Sequence, residues 1–234
     1  MRLGIMQPYF FPYLGYFSLI KHVDKFILFD TAQFIRHGWI ERNRILKREG
    51  WQYISVSLMK HSQKTPINAI QINNGIDWKQ KIFSKLIYYK KAPYFKAVMQ
   101  IIQEIFEYNY ADIVSLDKQV LEKVCTYLNI NTNIEIFSKM NLKIEKVNAP
   151  DEWALNICKA IEGADEYWNP QGGTKFFDII KYQKANINIK FQKINLKPYK
   201  QANDVFEEGL SIIDIMMYNS PTEINKMLDD FDLL

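Results

Sequence analysis

The sequence predicts an α/β fold, a parallel sheet with helices on both faces and a helical insertion, in a single domain over residues 1–234. Three observations carry this expectation. The chain opens on a short apolar run, a turn, a helical stretch and a second apolar run, the pattern of a compact βαβ unit. Its second half alternates strand-forming and helix-forming segments, as parallel sheets do. Between the two, residues from about 78 to 128 are helix-forming and read as a helical lobe. A chain of 234 residues is long enough to bury one substantial core.

Leu3 to Met6 is the first apolar run, ended by Gln7-Pro8, and apolar residues then recur at helical spacing from Leu14 to Lys21. Lys25 to Phe29 is a second buried strand, ending at Asp30. Residues 36–50 are polar and basic. Gln52 to Leu58 alternates and is rich in β-formers, and Ile67 to Ile72 suggests another short strand before the Asn73-Asn74-Gly75 turn. Trp78 to Tyr110 reads as helix broken near Ala92-Pro93, because proline lacks the amide proton and clashes with the preceding turn. A further helix runs from Ile113 to Leu128. Then follow a strand at 134–137, a helix at 152–162 closed by Gly163, a strand at 166–168 and a turn at 169–173. A helix at 174–185, a strand at 187–194 and a terminal helix at 211–218 complete the series.

Aromatic residues make up 15% of the chain, enough for an aromatic core and also for a groove that stacks on a planar or sugar ligand. The formal net charge of +4 is mild and suits an anionic small molecule without demanding nucleic acid. The N-terminal stretch is too broken by proline and glycine to span a bilayer, and no cleavage signal follows it, so the expected location is the cytoplasm. Cys125 and Cys158 lack metal spacing and read as buried thiols of a reducing compartment. No P-loop, GxGxxG or GxSxG motif is present, no metal site is expected, and the cofactor is left unknown.

Three segments could carry chemistry. Gln7 to Tyr16, QPYFFPYLGY, joins a strand end to a helix start, where open α/β sheets bind ligands. There Gln7, Tyr13, Gly15 and Tyr16 would meet an anion at the helix N-terminus, Gly15 allowing close approach. The competing reading is a proline-stiffened turn with its aromatics in the core. Asp30 to Arg44 offers Gln33 and Asn43 as amide contacts and Arg36 and Arg44 as phosphate ligands; Asp30 or His37 would be the base. Its competitor is a solvated basic loop. Gly172 and Gly173 suit a tight turn or an anion, and Tyr199 and Gln201 lie on a segment that could close over the site. Ser211 reads as a helix cap, with Asp214 in the first turn.

MQPYFFPYLGYFSLI at 6–20, DTAQFIRHGWIERNRIL at 30–46, YYKKAPYF at 88–95, YWNPQGG at 167–173, and KPYKQ with LSIIDIM at 197–201 and 210–216 resemble the WbqC-like family over nearly the whole chain. Thr31 stands where the family has an acidic residue, which weakens a paired-carboxylate site. His37 replaces a basic one. The resemblance implies a role among O-antigen and lipopolysaccharide genes: transfer of an acyl or aminoacyl group to the amino group of a nucleotide-linked deoxysugar. Its partners would be a nucleotide sugar, or another anionic small molecule, and an activated acyl donor such as aminoacyl-tRNA or a thioester. Oligomerisation is left open. The Tyr13-Leu14-Gly15-Tyr16 layout is also similar to the Rossmann-like HUP and nucleotidylyl-transferase superfamily, pantothenate synthetases in particular, which carry HxGH there. The alternatives are accordingly an ATP-dependent nucleotidylyl transferase or ligase, and a non-catalytic nucleotide-sugar-binding protein of a polysaccharide assembly complex.

Overall fold

The computed structural model describes all 234 residues. Strands β1 (Arg2–Met6) and β2 (Lys25–Leu28) flank helix α1 (Leu14–His22) and pair in parallel, Leu3 opposite Lys25 and Met6 opposite Leu28. Side-chain alternation splits these strands between two cores. Phe26 and Leu28 enter a large cluster of 48 buried residues, whereas Leu3, Ile5 and Ile27 enter a smaller one of 12 on the opposite face. Gly4 is required on the large-core side, because a Cβ there would lie 2.8 Å from the Phe26 ring.

Between β2 and the next sheet strand comes a long excursion. β3 (Arg42–Leu46) and β4 (Trp51–Ser55) form an antiparallel hairpin separate from the main sheet. Helices α2 (Trp78–Leu86), α3 (Phe95–Phe106) and α4 (Ile113–Tyr127) follow, and their apolar faces join the large core. Asp77 and Asp112 cap α2 and α4 by accepting from Gln80 and Ser115 backbone amides. β5 (Asn133–Ile136) returns beside β2. Helix α5 (Glu152–Ala160) then crosses to the small-core face and delivers β6 (Glu166–Pro170) to the free side of β1. Helix α6 (Ile179–Lys184) leads to β7 (Asn188–Ile194), parallel to β6. Helices α7 (Ile212–Tyr218) and α8 (Pro221–Leu228) return to the large core, and β8 (Phe231–Leu233) closes the edge antiparallel to β7.

The sheet order is β5-β2-β1-β6-β7-β8. Its first five strands are parallel with helices on both faces, a Rossmann-like arrangement whose direction of growth reverses between β1 and β6.

Three local readings are corrected. Residues 42–46, which overlap the segment whose competing reading is a solvated basic loop, are a strand, because Asn43, Ile45 and Leu46 turn inward against the turn after β1 and the large core. The expected strand at 67–72 is a 3₁₀ turn, Ile67–Ala69, followed by isolated bridges of Gln71 to Asp112 and Ile72 to Leu58. The helix expected at 174–185 starts only at Ile179, where Asp178 accepts from the Ile180 amide; residues 174–178 are needed for the cleft described below. Helix α8 was legible and overlooked: Ser220-Pro221-Thr222-Glu223 is a capping box with proline at its first position. Both cysteines are buried free thiols, and no helix is long and apolar enough to cross a membrane.

Candidate functional site

At the carboxyl edge of the sheet, where β1 and β6 part, lies a cleft of about 700 Å³. Four segments line it. Met6 to Tyr9 leave β1, 35–40 follow β2, Pro150 to Ala154 open α5, and Asn169 to Phe177 leave β6. The lining is aromatic and carries no formally charged residue.

The aromatic rings are held by one another and by the backbone. Tyr9 stacks on Trp39 at 5.8 Å with 30° between planes, and the Phe10 amide donates to the Trp39 carbonyl at 3.0 Å. Arg44 supports this wall from behind, its guanidinium lying 5.6 Å from the Trp39 ring centre and 5.2 Å from that of Trp51. Trp153 packs on Phe29 at 5.2 Å, and Phe177 meets Tyr167 edge-on at 5.5 Å. Trp39 remains 42% and Phe176 54% exposed, so apolar ring faces stand open to a ligand.

The polar groups are few and specific. The Tyr167 hydroxyl donates to the Ile5 carbonyl and accepts from Asn169 Nδ2 at 2.6 Å. That hydroxyl hydrogen being committed, Asn169 must present its NH₂ there, which leaves Asn169 Oδ1 with no hydrogen bond inside the chain. Gly173 is glycine because a Cβ would collide with Asn169 Oδ1 and approach the Phe177 ring to 2.9 Å. The Gln7 side chain is exposed at the mouth. Burial pushes the phenols of Tyr9 and Tyr167 far above their ordinary range, so both stay protonated near neutral pH.

Of the residues singled out from the sequence, Gln7, Tyr16, Gly172 and Gly173 line this cleft. Tyr16 does so as a wall, since it is buried with its hydroxyl donating to the Gln7 carbonyl at 2.8 Å. The space above Gly15 is filled by the ring of Tyr13, 2.6 Å from where a Cβ would sit, so Gly15 admits Tyr13 and not a ligand. The Tyr13 ring thus lies over Gly15 at the first turn of α1.

The other positions have other surroundings. Asp30 is buried, accepting from the Ser138 amide at 3.0 Å and from its hydroxyl at 2.5 Å, which ties the end of β2 to the segment after β5. Asn43 is buried too; its Nδ2 donates to the Phe11 carbonyl at 2.6 Å, and Ser211 Oγ donates to the same carbonyl at 2.8 Å. Together they hold Phe11 in its left-handed conformation, φ 42°. Gln33 donates to the Gln63 carbonyl. Arg36 and His37 line a separate cavity of about 520 Å³ with Glu41, Arg42 and His61. Tyr199 and Gln201 converge on Asp214 in the core.

Tyr9 and Asn169 lie in segments the sequence had pointed to, and the cleft residues that sequence reasoning left out are Trp39, Trp153, Tyr167 and Phe176. The YWNPQGG stretch was the one available signal. Trp39 and Trp153 carry none, because an aromatic outside a periodic run looks the same in a core or a cleft.

A parallel sheet of this order, with a cleft at its point of reversal, defines a Rossmann-like α/β protein. The chain belongs to the WbqC-like protein family, whose model matches residues 7–226, a family associated with polysaccharide biosynthesis. It is 26% identical over 218 residues to an uncharacterized protein of Mycobacterium tuberculosis, Rv1507c, with 92% of each chain covered. No solved structure matches the chain.

Proposed function

We propose that the cleft binds the sugar ring of a nucleotide-linked amino deoxysugar, and that the protein acylates its amino group from an activated acyl or aminoacyl donor in surface-polysaccharide biosynthesis. The observation that carries the reading is an uncharged aromatic cleft with one unpartnered acceptor, Asn169 Oδ1. A deoxysugar offers apolar faces to Tyr9, Trp39 and Phe176, and its amino group offers the hydrogen that Asn169 lacks. The diphosphate would leave the cleft toward Arg36 and Lys175, both exposed on lining segments.

On this reading the neutral amine attacks the carbonyl carbon of a thioester or aminoacyl ester. A C–N bond forms, the C–S or C–O bond breaks, and the amine proton ends on the departing thiol or hydroxyl. The contribution of the cleft is orientation, with Asn169 holding one N–H so that the nitrogen lone pair faces the donor. Asp30 is not used as base, because both its oxygens are occupied by Ser138. His37 is outside the cleft lining.

A second reading has its own support. No group in the cleft titrates near neutral pH, which suits a protein that binds the nucleotide sugar without turnover. Nucleotidylyl transfer is the less supported reading, since Tyr13 and Tyr16 stand where HxGH enzymes carry histidines and the Tyr13 ring covers Gly15.

The test incubates the protein with dTDP- and UDP-linked amino sugars and acyl thioesters or aminoacyl-tRNA, and reads the product mass. Acylated sugar is the expected outcome, with Trp39→Ala raising KM by about tenfold and leaving kcat nearly unchanged. Binding without a mass change would select the second reading. A protein that neither binds nor modifies any amino sugar would sink both.

A further inference from the structure

The larger cavity of the molecule, about 1100 Å³, lies away from the sheet edge, between the end of α2, the turn after it and the 200–202 segment. It shares no lining residue with the cleft. Four lysines line it, Lys85, Lys90, Lys91 and Lys200, and no carboxylate does. None of the four belongs to any ion pair of the chain. Together they bring four positive charges to one cavity that has no acidic residue in its lining.

The walls are built rather than loose. Lys85 Nζ donates to the Tyr53 carbonyl at 2.6 Å, and the Tyr88 hydroxyl donates to Asn203 Oδ1. Asn203 in turn donates to the Lys47 carbonyl, fixing this side to the β3–β4 hairpin. Gln201 is held from below by Asp214 and from the side by the Glu207 carbonyl. The Asp214 carboxylate lies in the interior behind Gln201, held by Tyr89, Tyr199 and Gln201, and is not part of the lining. Tyr88, Tyr218 and Pro93 add ring surfaces beside the charges.

Lysine is a compact point charge suited to phosphate oxygens. Four of them around a space this large exceed what one phosphate needs, and the adjoining rings suit a base. We propose that this cavity is a second site, for a small nucleotide carrying two or more phosphates. The assignment does not depend on the reading of the sheet-edge cleft.

Calorimetric titration with ATP and with inorganic tripolyphosphate at low and moderate salt tests it. Both ligands bind, and affinity falls steeply as salt rises, because phosphate contacts of this kind are screened by ions. Lys90→Ala/Lys91→Ala/Lys200→Ala, all exposed positions, weakens both by about tenfold or more while circular dichroism stays native. The matched control, Lys60→Ala/Lys64→Ala/Lys184→Ala, removes the same charge from exposed positions elsewhere and leaves binding unchanged. The proposal is overturned if neither ligand binds at millimolar concentration, or if both triple variants behave alike. It is also overturned if Trp39→Ala, and not the cavity triple, abolishes binding, or if a short single-stranded oligoribonucleotide binds where the small polyphosphates do not.

Discussion

Two carboxylates, Asp214 on α7 and Asp117 on α4, are fully buried in the protein and are treated in opposite ways. Asp214 accepts from the Tyr89 hydroxyl at 2.8 Å, the Tyr199 hydroxyl at 2.5 Å and Gln201 Nε2 at 2.8 Å. Burial nonetheless outweighs these donors and pushes its carboxyl up to about 6. Asp117 has no partner for either oxygen, and burial, reinforced by Glu41 and Asp112, holds it well above the usual carboxylate range. Near neutral pH Asp214 is an anion with three donors, whereas burial and the neighbouring carboxylates favour the protonated form of Asp117, which has no partner. Burial alone therefore does not make an acid structural; its partners do. Asp214 joins the α2–α3 connection, through Tyr89, to the 199–201 segment, and so positions one wall of the lysine cavity.

The comparison can be broken most directly at Asp214. Asp214→Ala strands three buried donors and is expected to cost about 3–5 kcal/mol. Urea unfolding reads this as a lower midpoint with unchanged slope, and a loss below about 1 kcal/mol would show that the cluster is not an anchor. The next largest effect is one of pH. Because the folded Asp214 holds its proton more tightly than the unfolded chain does, its contribution to stability is complete below about pH 4 and is lost as pH rises through 6. The wild type should lose up to about 3 kcal/mol across that window relative to Asp214→Asn. Equal pH slopes for the two proteins would place the carboxyl at its ordinary value. The smallest effect belongs to Asp117. Asp117→Asn, of nearly equal volume, should change stability by less than about 1 kcal/mol in either direction, since one unpaired polar group replaces another. A cost near that of Asp214→Ala would mean that Asp117 has a partner after all.

The parallel sheet was legible because its strands are short apolar runs separated by helical periodicity, a pattern that burial on both faces imposes locally. The inserted helices were legible for a similar reason: Pro93 and the aspartates at 77 and 112 mark where they stop and start. The β3–β4 hairpin was not. Its arginines are long side chains that lie across aromatic faces, Arg42 over Tyr53 at 4.1 Å and Arg44 between Trp39 and Trp51, and in sequence they look solvated.

Part of the cleft could be foreseen, because a turn after a first parallel strand has a predictable place at the sheet edge, and Gln7, Tyr16, Gly172 and Gly173 are there. Which side chains face the cleft was settled elsewhere. Asp30 and Asn43 have residue types suited to chemistry, yet Ser138 and the Phe11 carbonyl claim them from about a hundred and about thirty residues away. The residues themselves thus determined the fold class, the family and the segment on which the cleft is built, since these depend on local periodicity and turn chemistry. Only the tertiary structure decided that the cleft is uncharged and that four lysines from α2, the turn after it and residue 200 share one cavity. Charge and hydrogen bonding at a site depend on partners distant in the chain, and a sequence does not list a residue's neighbours in space.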